Sequence, residues 1–168
     1  SSWRRTLERD SIPVHVPIAH RREAEREAVP ARLTRPFDGP FEPVPGVRID
    51  PFVVPHDRAG SSAFRITCGE VALGWATDLG RVDGGLIRHL EGVDALGIES
   101  NYDLERQLNS DRPAFLVRRI TGGSGHLSNR ECLAAVRRMV GEGSFGTGPE
   151  HVVLLHLSRD CNSPELVT

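Results

Sequence analysis

Short apolar runs alternate with amphipathic stretches beyond residue 51. Runs rich in β-branched and aromatic residues predict strands, and apolar residues repeating every three or four positions predict helices. The predicted strands are Phe52–Pro55, Ala63–Cys68, Val71–Ala76, Leu96–Glu99 and Val152–Leu155. The predicted helices are Gly84–Leu90, Tyr102–Leu108 and Ala114–Ile120. This alternation is typical of an α/β protein.

One further helix has clear boundaries. The sequence Ser128-Asn-Arg-Glu131 forms a capping box, and Gly141 is a suitable end. The residues predicted to share its inward face are Cys132, Leu133, Val136 and Val140. A Gly-rich loop, residues 141–148, then leads to the last strand. In the Val71–Ala76 strand, Trp75 is predicted to be a core residue.

The N-terminal region is more polar. It predicts a helix over Trp3–Glu8, an apolar segment over Ile12–Ile18 and a charged helix over Ala19–Ala28. Repeated prolines between residues 30 and 51 favour extended loop and edge strand over helix. Near the other end, Ser163-Pro164-Glu165 predicts the start of one more helix. A chain of 168 residues is long enough to bury a core as one domain, 1–168.

Composition narrows the function classes. The net charge is −2 and all 21 basic residues are arginine, so any site for a polyanion must be local. Three cysteines without C-x-x-C spacing argue against a disulfide framework and against a cysteine zinc ribbon. This cysteine pattern makes a reducing cytoplasm the expected location. No apolar run is long enough to span a membrane, so we expect no membrane partner.

Three predicted strands lead directly to good metal ligands, namely His56, Asp78 and His156. Two imidazoles and a carboxylate suit zinc or manganese, and the end of a rigid strand is a favourable place for reactive groups. Each residue also has a structural interpretation. A single histidine at a strand end is often simply hydrogen-bonded, and an aspartate before a glycine often caps a turn.

Other polar groups lie in the loops between these strands. Gly122-Gly-Ser-Gly presents His126 just before the helix that starts at Ser128, where an anion is favoured and a histidine can donate a proton. Arg118 and Arg119 precede this loop, and they are either phosphate contacts or part of a solvated helix face. Ser128 is a further candidate for a phosphate contact. The residues that are candidates for supporting a ligand, or for simple helix capping, are Glu99, Asn101 and Asp103.

Five short motifs occur in a characteristic order. They are His56-Asp57, Thr77-Asp78-Leu-Gly80, Glu99-Ser-Asn-Tyr-Asp103, Gly125-His126-Leu-Ser-Asn129 and His156-Leu-Ser158, with Asn162 and Pro164 after them. This set resembles the metallo-β-lactamase superfamily, and within it the YycJ (WalJ) group, which is related to ribonuclease Z. The resemblance implies an α/β (α+β) four-layer αβ/βα sandwich that holds two divalent metals, zinc or manganese.

The resemblance also implies residue roles. His56 would bind the first metal, Asp78 would bridge the two as a catalytic residue, and His156 would bind the second. His126 resembles the loop histidine that assists phosphodiester cleavage. The implied function is a metal-dependent phosphodiesterase or nuclease, similar to DNA exonucleases, in which a hydroxide activated by two metals attacks single-stranded DNA or nucleic-acid ends.

One departure from the family pattern is large. The H-x-H-x-D-H motif, which supplies four metal ligands, does not occur in these residues. We therefore expect a sandwich that is incomplete at its N-terminal side, with exposed apolar surface, weak metal binding and little hydrolysis by this chain alone. Two other functions remain open: a small-molecule hydrolase acting on a thioester or lactam, and a non-catalytic remnant that binds nucleic acid.

Overall fold

The computed structural model describes residues 2–141 and 148–167, so most of the predicted Gly-rich loop lies outside the described residues. The chain divides into two compact units, Ser1–Phe41 and Glu42–Thr168. The prediction of one partial domain over residues 1–168 stays a prediction.

The first unit contains two helices and a small parallel sheet. Helix α1 spans Ser2–Arg9 and helix α2 spans Arg21–Arg26, while strands β1 (Val14–Pro17) and β2 (Thr34–Phe37) pair in parallel. The predicted charged helix is shorter than expected, because Ile18–His20 form a 3-10 turn before it. The buried apolar residues of this unit are Val16, Leu33 and Phe37.

The second unit holds a six-stranded mixed sheet. Its strands are β3 (Phe41–Val44), β4 (Val47–Val54), β5 (Ser61–Cys68), β6 (Val71–Ala76), β7 (Ala95–Glu99) and β8 (His151–Leu155), in the order β3-β4-β5-β6-β7-β8. Strands β4, β5 and β6 are antiparallel neighbours, and β7 and β8 run parallel to β6. The predicted α/β class is confirmed.

Four helices connect and cover these strands. They are α3 (Gly84–His89), α4 (Leu104–Leu108), α5 (Ala114–Arg119) and α6 (Asn129–Val140). Helix α4 starts two residues later than predicted because the Asp103 carboxylate accepts a hydrogen bond from Arg106 N and caps it. After Ser163 the chain forms only a 3-10 turn, Pro164–Leu166. Among the described helices, none is long and apolar enough to cross a membrane.

Helix α6 begins as predicted, with the capping box of Ser128 and Glu131 present. The predicted inward face is partly wrong, since Leu133 and Val140 are 51% and 49% exposed. The buried residues are Cys132, Ala135 and Met139. Positions separated by three or four residues share one face of a helix, as Cys132, Ala135 and Met139 do. Leu133 is the next residue after Cys132, so its side chain points away from that face.

The two faces of the large sheet differ in their burial. Side chains alternate between faces along a strand, so Ala72, Ala76 and Ile98 lie on the face that packs in the core. Trp75 lies on the opposite face, in register with Gly97 and Val153, and is 41% exposed. The core prediction for Trp75 is therefore wrong. The expectation of exposed apolar surface is confirmed on this face by the exposed residues Val53, Val71, Trp75 and Val153.

Candidate metal centre

The site lies where four strands end at one edge of the sheet. Strands β4, β6, β7 and β8 all run in the same direction, because β4 and β6 are both antiparallel to β5 and the last two are parallel to β6. Their carboxyl ends therefore meet. The residues at or just beyond these ends are His56, Asp78, Glu99 and His156.

Glu99 is the buried centre of the site, with a side chain that is 0% exposed. Its Oε1 atom lies 2.7 Å from His126 Nδ1 and 2.7 Å from His156 Nδ1. Its Oε2 atom accepts a hydrogen bond from Leu79 N at 2.6 Å. A carboxylate oxygen accepts, so each Nδ1 carries the proton and each Nε2 keeps its lone pair. This arrangement orients an imidazole for metal binding or proton transfer.

Asp78 is the open carboxylate of the site, 41% exposed at its side chain. Its Oδ1 atom is 3.8 Å from His56 Nε2, 3.6 Å from His156 Nδ1 and 3.9 Å from His126 Nδ1. His56 Nδ1 donates to the carbonyl oxygen of Gly125 at 2.7 Å. That bond fixes the His56 tautomer and leaves Nε2, the atom facing Asp78, free to accept.

Two of these residues have strained backbones. Asp78 and His156 adopt positive φ values of 54° and 58°. Such values are uncommon outside glycine and cost about 1–3 kcal/mol, so the surrounding structure must impose them. The strain turns each chain sharply just after its strand, which brings both side chains to the same place.

Gly80 shows how closely the loops of the site approach one another. Its N–H donates to Pro55 O at 2.7 Å, and a Cβ atom at this position would lie 2.6 Å from both Pro55 O and Gly123 O. Gly125 is equally confined, since its Cβ would lie 2.5 Å from Arg119 O. The loops that carry His56, Asp78 and His126 are thus in direct backbone contact.

The donor set fits a divalent metal. Ligand atoms of Asp78, Glu99, His126 and His156 all lie within 4.8 Å of one another, and His56 stands beside Asp78. Ligands about 2.1 Å from one ion can be at most about 4.2 Å apart. The His56–Asp78 separation of 3.8 Å is within that limit, whereas the 4.8 Å span of the four-residue group is slightly wider. Imidazole and carboxylate together are typical ligands of zinc and manganese.

The chain is similar in sequence to curated proteins from two bacteria. No family model matches the chain. Over 120 residues the chain is 28% identical to the exodeoxyribonuclease YycJ of Bacillus anthracis, covering 71% of this chain and 44% of that protein. It is 29% identical over 120 residues to the exodeoxyribonuclease WalJ of Streptococcus pneumoniae, with 71% and 43% covered. The chain thus spans less than half the length of the curated relatives it matches.

Solved structures decide the fold. A diphosphatase from the PhnP family superimposes with a TM-score of 0.62 at 13% identity, covering 92% of this chain and 50% of that one. The metallo-β-lactamase fold protein YhfI from Bacillus subtilis gives 0.60 at 16% identity, covering 92% and 55%. The chain has the metallo-β-lactamase fold. Zinc-bound PqqB from Methylobacterium extorquens also superimposes, at 0.60 and 16% identity, covering 87% and 51%.

In this metallo-β-lactamase fold, Asn101 connects the loops of two histidines. Its side-chain amide donates to His156 O at 2.7 Å, and its backbone N–H donates to Leu127 O at 2.9 Å. Ser100 and Asn162 extend the network, since Asn162 Nδ2 donates to Ser100 O at 2.7 Å. The support role predicted for Asn101 therefore has a geometric basis.

The remaining predicted residues lie further from the histidines. Asp103 caps α4, and the Ser128 hydroxyl is buried in the capping box of α6. These contacts favour helix capping over support of a ligand for Asp103, and a structural role over phosphate binding for Ser128. Arg118 and Arg119 are exposed at the end of α5, next to the loop that carries His126.

Sequence reasoning missed two features of the site. It gave Glu99 a supporting role but did not predict that one oxygen atom serves both His126 and His156. A charged residue ending the apolar strand Ala-Leu-Gly-Ile-Glu99 was the available indication. The close packing at Gly80 was also missed, and only its adjacency to Asp78 pointed to it.

Proposed function

We propose that the natural protein containing this chain is a metal-dependent phosphodiesterase that acts on nucleic acid, in the manner of an exodeoxyribonuclease. The observation that carries the proposal is the convergence of three imidazoles on two carboxylates at one edge of a metallo-β-lactamase fold. The similarity to YycJ and WalJ supports DNA as the substrate class. Single-stranded DNA or DNA ends, and a cytoplasmic location, belong to the same proposal.

His56, Asp78 and His156 would hold the metal, either zinc or manganese, with Asp78 shared between two ions. A bound divalent metal supplies Lewis-acid stabilisation of phosphate charge and a nucleophile at neutral pH. Glu99 is already committed to three hydrogen-bond donors, so we assign it the orientation of His126 and His156 rather than direct metal binding.

His126 is assigned to the departing oxygen. Its Nδ1 donates to Glu99, so the imidazole has a fixed orientation. Once Nε2 has taken up a proton, the imidazolium beside the Glu99 carboxylate can pass that proton to the departing oxygen. Its loop approaches the backbone of Gly80, which follows Asp78. A proton donor beside a metal-binding carboxylate is useful for an alkoxide leaving group. A thioester has less need of such a donor, so this placement favours a phosphodiester over a thioester or lactam.

The proposal is tested by assaying the natural protein with Mn²⁺ or Zn²⁺ on three substrates: a 5′-labelled single-stranded oligonucleotide, bis-p-nitrophenyl phosphate and a thioester. We expect both phosphodiesters to be cleaved and the thioester to survive. Asp78→Asn should lower kcat/KM by at least about 100-fold, and His126→Ala by about 100- to 10,000-fold. The matched control is Asp103→Asn, which alters a helix cap and should change activity by no more than about threefold.

Preferential thioester cleavage would contradict the substrate class. Activity that persists in EDTA, or in Asp78→Asn, would contradict the metal assignment. For the 168-residue chain alone we keep the expectation of weak metal binding and little hydrolysis. Binding of DNA that is indifferent to EDTA, without any cleavage by the natural protein, would instead favour the non-catalytic binding function.

A further inference from the structure

A small groove is lined by none of the candidate metal ligands. It has a volume of about 170 Å³. One wall is formed by the segment that follows Asp78, and the other by a single stripe of α6. The residues that line it include Arg81, Leu127, Glu131, Ala134, Ala135 and Arg138. On α6 the positions 131, 134, 135 and 138 follow the spacing of one helix face.

Two residues of the groove belong to the segments that also carry site residues. Arg81 is three positions after Asp78, and Leu127 directly follows His126. Along helix α6, Arg138 lies about 14 Å beyond Asn129 at 1.5 Å per residue.

The charges of the groove are not neutralised within it. Arg81 and Arg138 are both exposed, and neither makes an ion pair or a side-chain hydrogen bond with any other described residue. Glu131 is the acidic residue of the groove, and its Oε2 atom accepts from both the backbone N–H and the hydroxyl of Ser128. The groove is therefore lined by two guanidinium groups without a partner among the described residues and by one carboxylate, Glu131, that already accepts from Ser128.

The shape of the groove also suits an anionic group. Ala134 and Ala135 are small, so the stripe between Glu131 and Arg138 leaves room above the helix surface. Arg81 and Arg138 both line this room. Guanidinium groups bind phosphate oxygens through parallel N–H donors, which makes a pair of arginines across a narrow groove well suited to one phosphate.

We propose that this groove binds a backbone phosphate of a nucleic-acid strand through Arg81 and Arg138. The inference rests on the proposed function, because it names how that substrate would be held. It adds a binding site that involves neither the histidines nor the carboxylates of the metal centre. Its test can therefore be carried out without turnover.

The experiment measures binding of the 168-residue chain to a fluorescein-labelled single-stranded 20-mer by anisotropy, in EDTA and at several salt concentrations. We expect Arg81→Ala and Arg138→Ala each to weaken binding about 5- to 10-fold. Each should also reduce the slope of log Kd against log salt by about 0.7, the value for one lost phosphate contact on a single strand. The thermal midpoint of each variant should match that of the parent chain, since both side chains are exposed.

Arg137→Ala is the matched control, because Arg137 is exposed on the same helix and does not line the groove. It should change Kd by less than about twofold. Equal weakening by Arg137→Ala and Arg138→Ala would overturn the inference, since the effect would then be one of overall charge. Unchanged binding in both groove variants would overturn it and leave the proposed function standing. Absence of any binding by the parent chain would overturn the inference, and absence of oligonucleotide cleavage by the natural protein would separately overturn the proposed function.

Discussion

The two carboxylates of the site lie in contrasting surroundings. Glu99 is fully buried, and its oxygens contact His126 Nδ1, His156 Nδ1 and Leu79 N at 2.6–2.7 Å. Asp78 is 41% exposed at its side chain, and its Oδ1 atom lies 3.6–3.9 Å from three imidazole nitrogens. The first carboxylate already has its partners. The second lies near three imidazole nitrogens at distances too long for hydrogen bonds, and one of these, His56 Nε2, is free to bind a metal.

This contrast separates two tasks. A buried carboxylate that accepts from two imidazoles sets their orientation and tautomer before any ligand arrives. An open carboxylate at a strained backbone position can exchange ligands with solvent, as a metal ligand must. Variants that change one carboxylate and leave the other intact test whether these two tasks are separate.

The largest expected effect is on stability. Glu99→Ala should lower the free energy of unfolding by about 3–5 kcal/mol, because it leaves three donors without their acceptor in a buried place. Asp78→Asn, which keeps a residue that tolerates positive φ, should cost less than about 1 kcal/mol. Urea unfolding of both variants measures the difference. Equal losses would remove the distinction between the two carboxylates.

A smaller loss is expected from crowding the loop beside Asp78. Gly80→Ala places a Cβ atom 2.6 Å from two carbonyl oxygens, so it should cost about 1–3 kcal/mol and displace Asp78 from His56. Gly122→Ala is the control, since its Cβ would meet nothing within 4 Å. Thermal unfolding should separate the two variants. Similar midpoints would mean that the loops at Gly80 can move apart freely.

The smallest effect concerns a titration beside the buried carboxylate. The pKa of Tyr102 is raised from 10.0 to about 12, first by burial and then by the negative charges of Glu131 and Glu99. Because the unfolded tyrosine ionises first, stability is full below pH 10 and falls by about 1.4 kcal/mol per pH unit as pH rises from 10 towards 12. Tyr102 is the one tyrosine of the chain, so absorbance at 295 nm reports it directly.

Glu99→Gln should lower the Tyr102 midpoint by a fraction of a pH unit, because it removes one of the two negative charges while burial remains. Glu165→Gln is the control, since its charge has no part in the Tyr102 shift. A midpoint that is the same in all three proteins would show that the charge of Glu99 does not reach Tyr102.

Several strands and the start of α6 could be predicted from the sequence, because interactions between residues near one another in the chain determine them. Alternating apolar residues marked β5 and β6, and the capping box placed the start of α6 within one residue. The motif order predicted the fold that the superpositions show. Asp78 and His156 were selected because each follows an apolar run.

The rest depends on contacts between distant residues. Trp75 lies in an apolar strand, but only the sheet register shows that its face is open. The shared contact of Glu99 joins residues 27 and 57 positions away. No local pattern encodes such a pairing, and neither does the approach of Gly80 to Pro55. The positive φ of Asp78 is likewise imposed by these contacts.

The most direct test of the division between the two carboxylates is a calorimetric titration of the natural protein containing this chain with Mn²⁺ and with Zn²⁺. We expect Asp78→Asn to weaken binding about 100-fold, which corresponds to about 2.8 kcal/mol, while its unfolding midpoint stays near that of the parent. Asp103→Asn should bind as the parent does. Metal affinity that is unchanged in Asp78→Asn would contradict the assignment of the open carboxylate as a metal ligand.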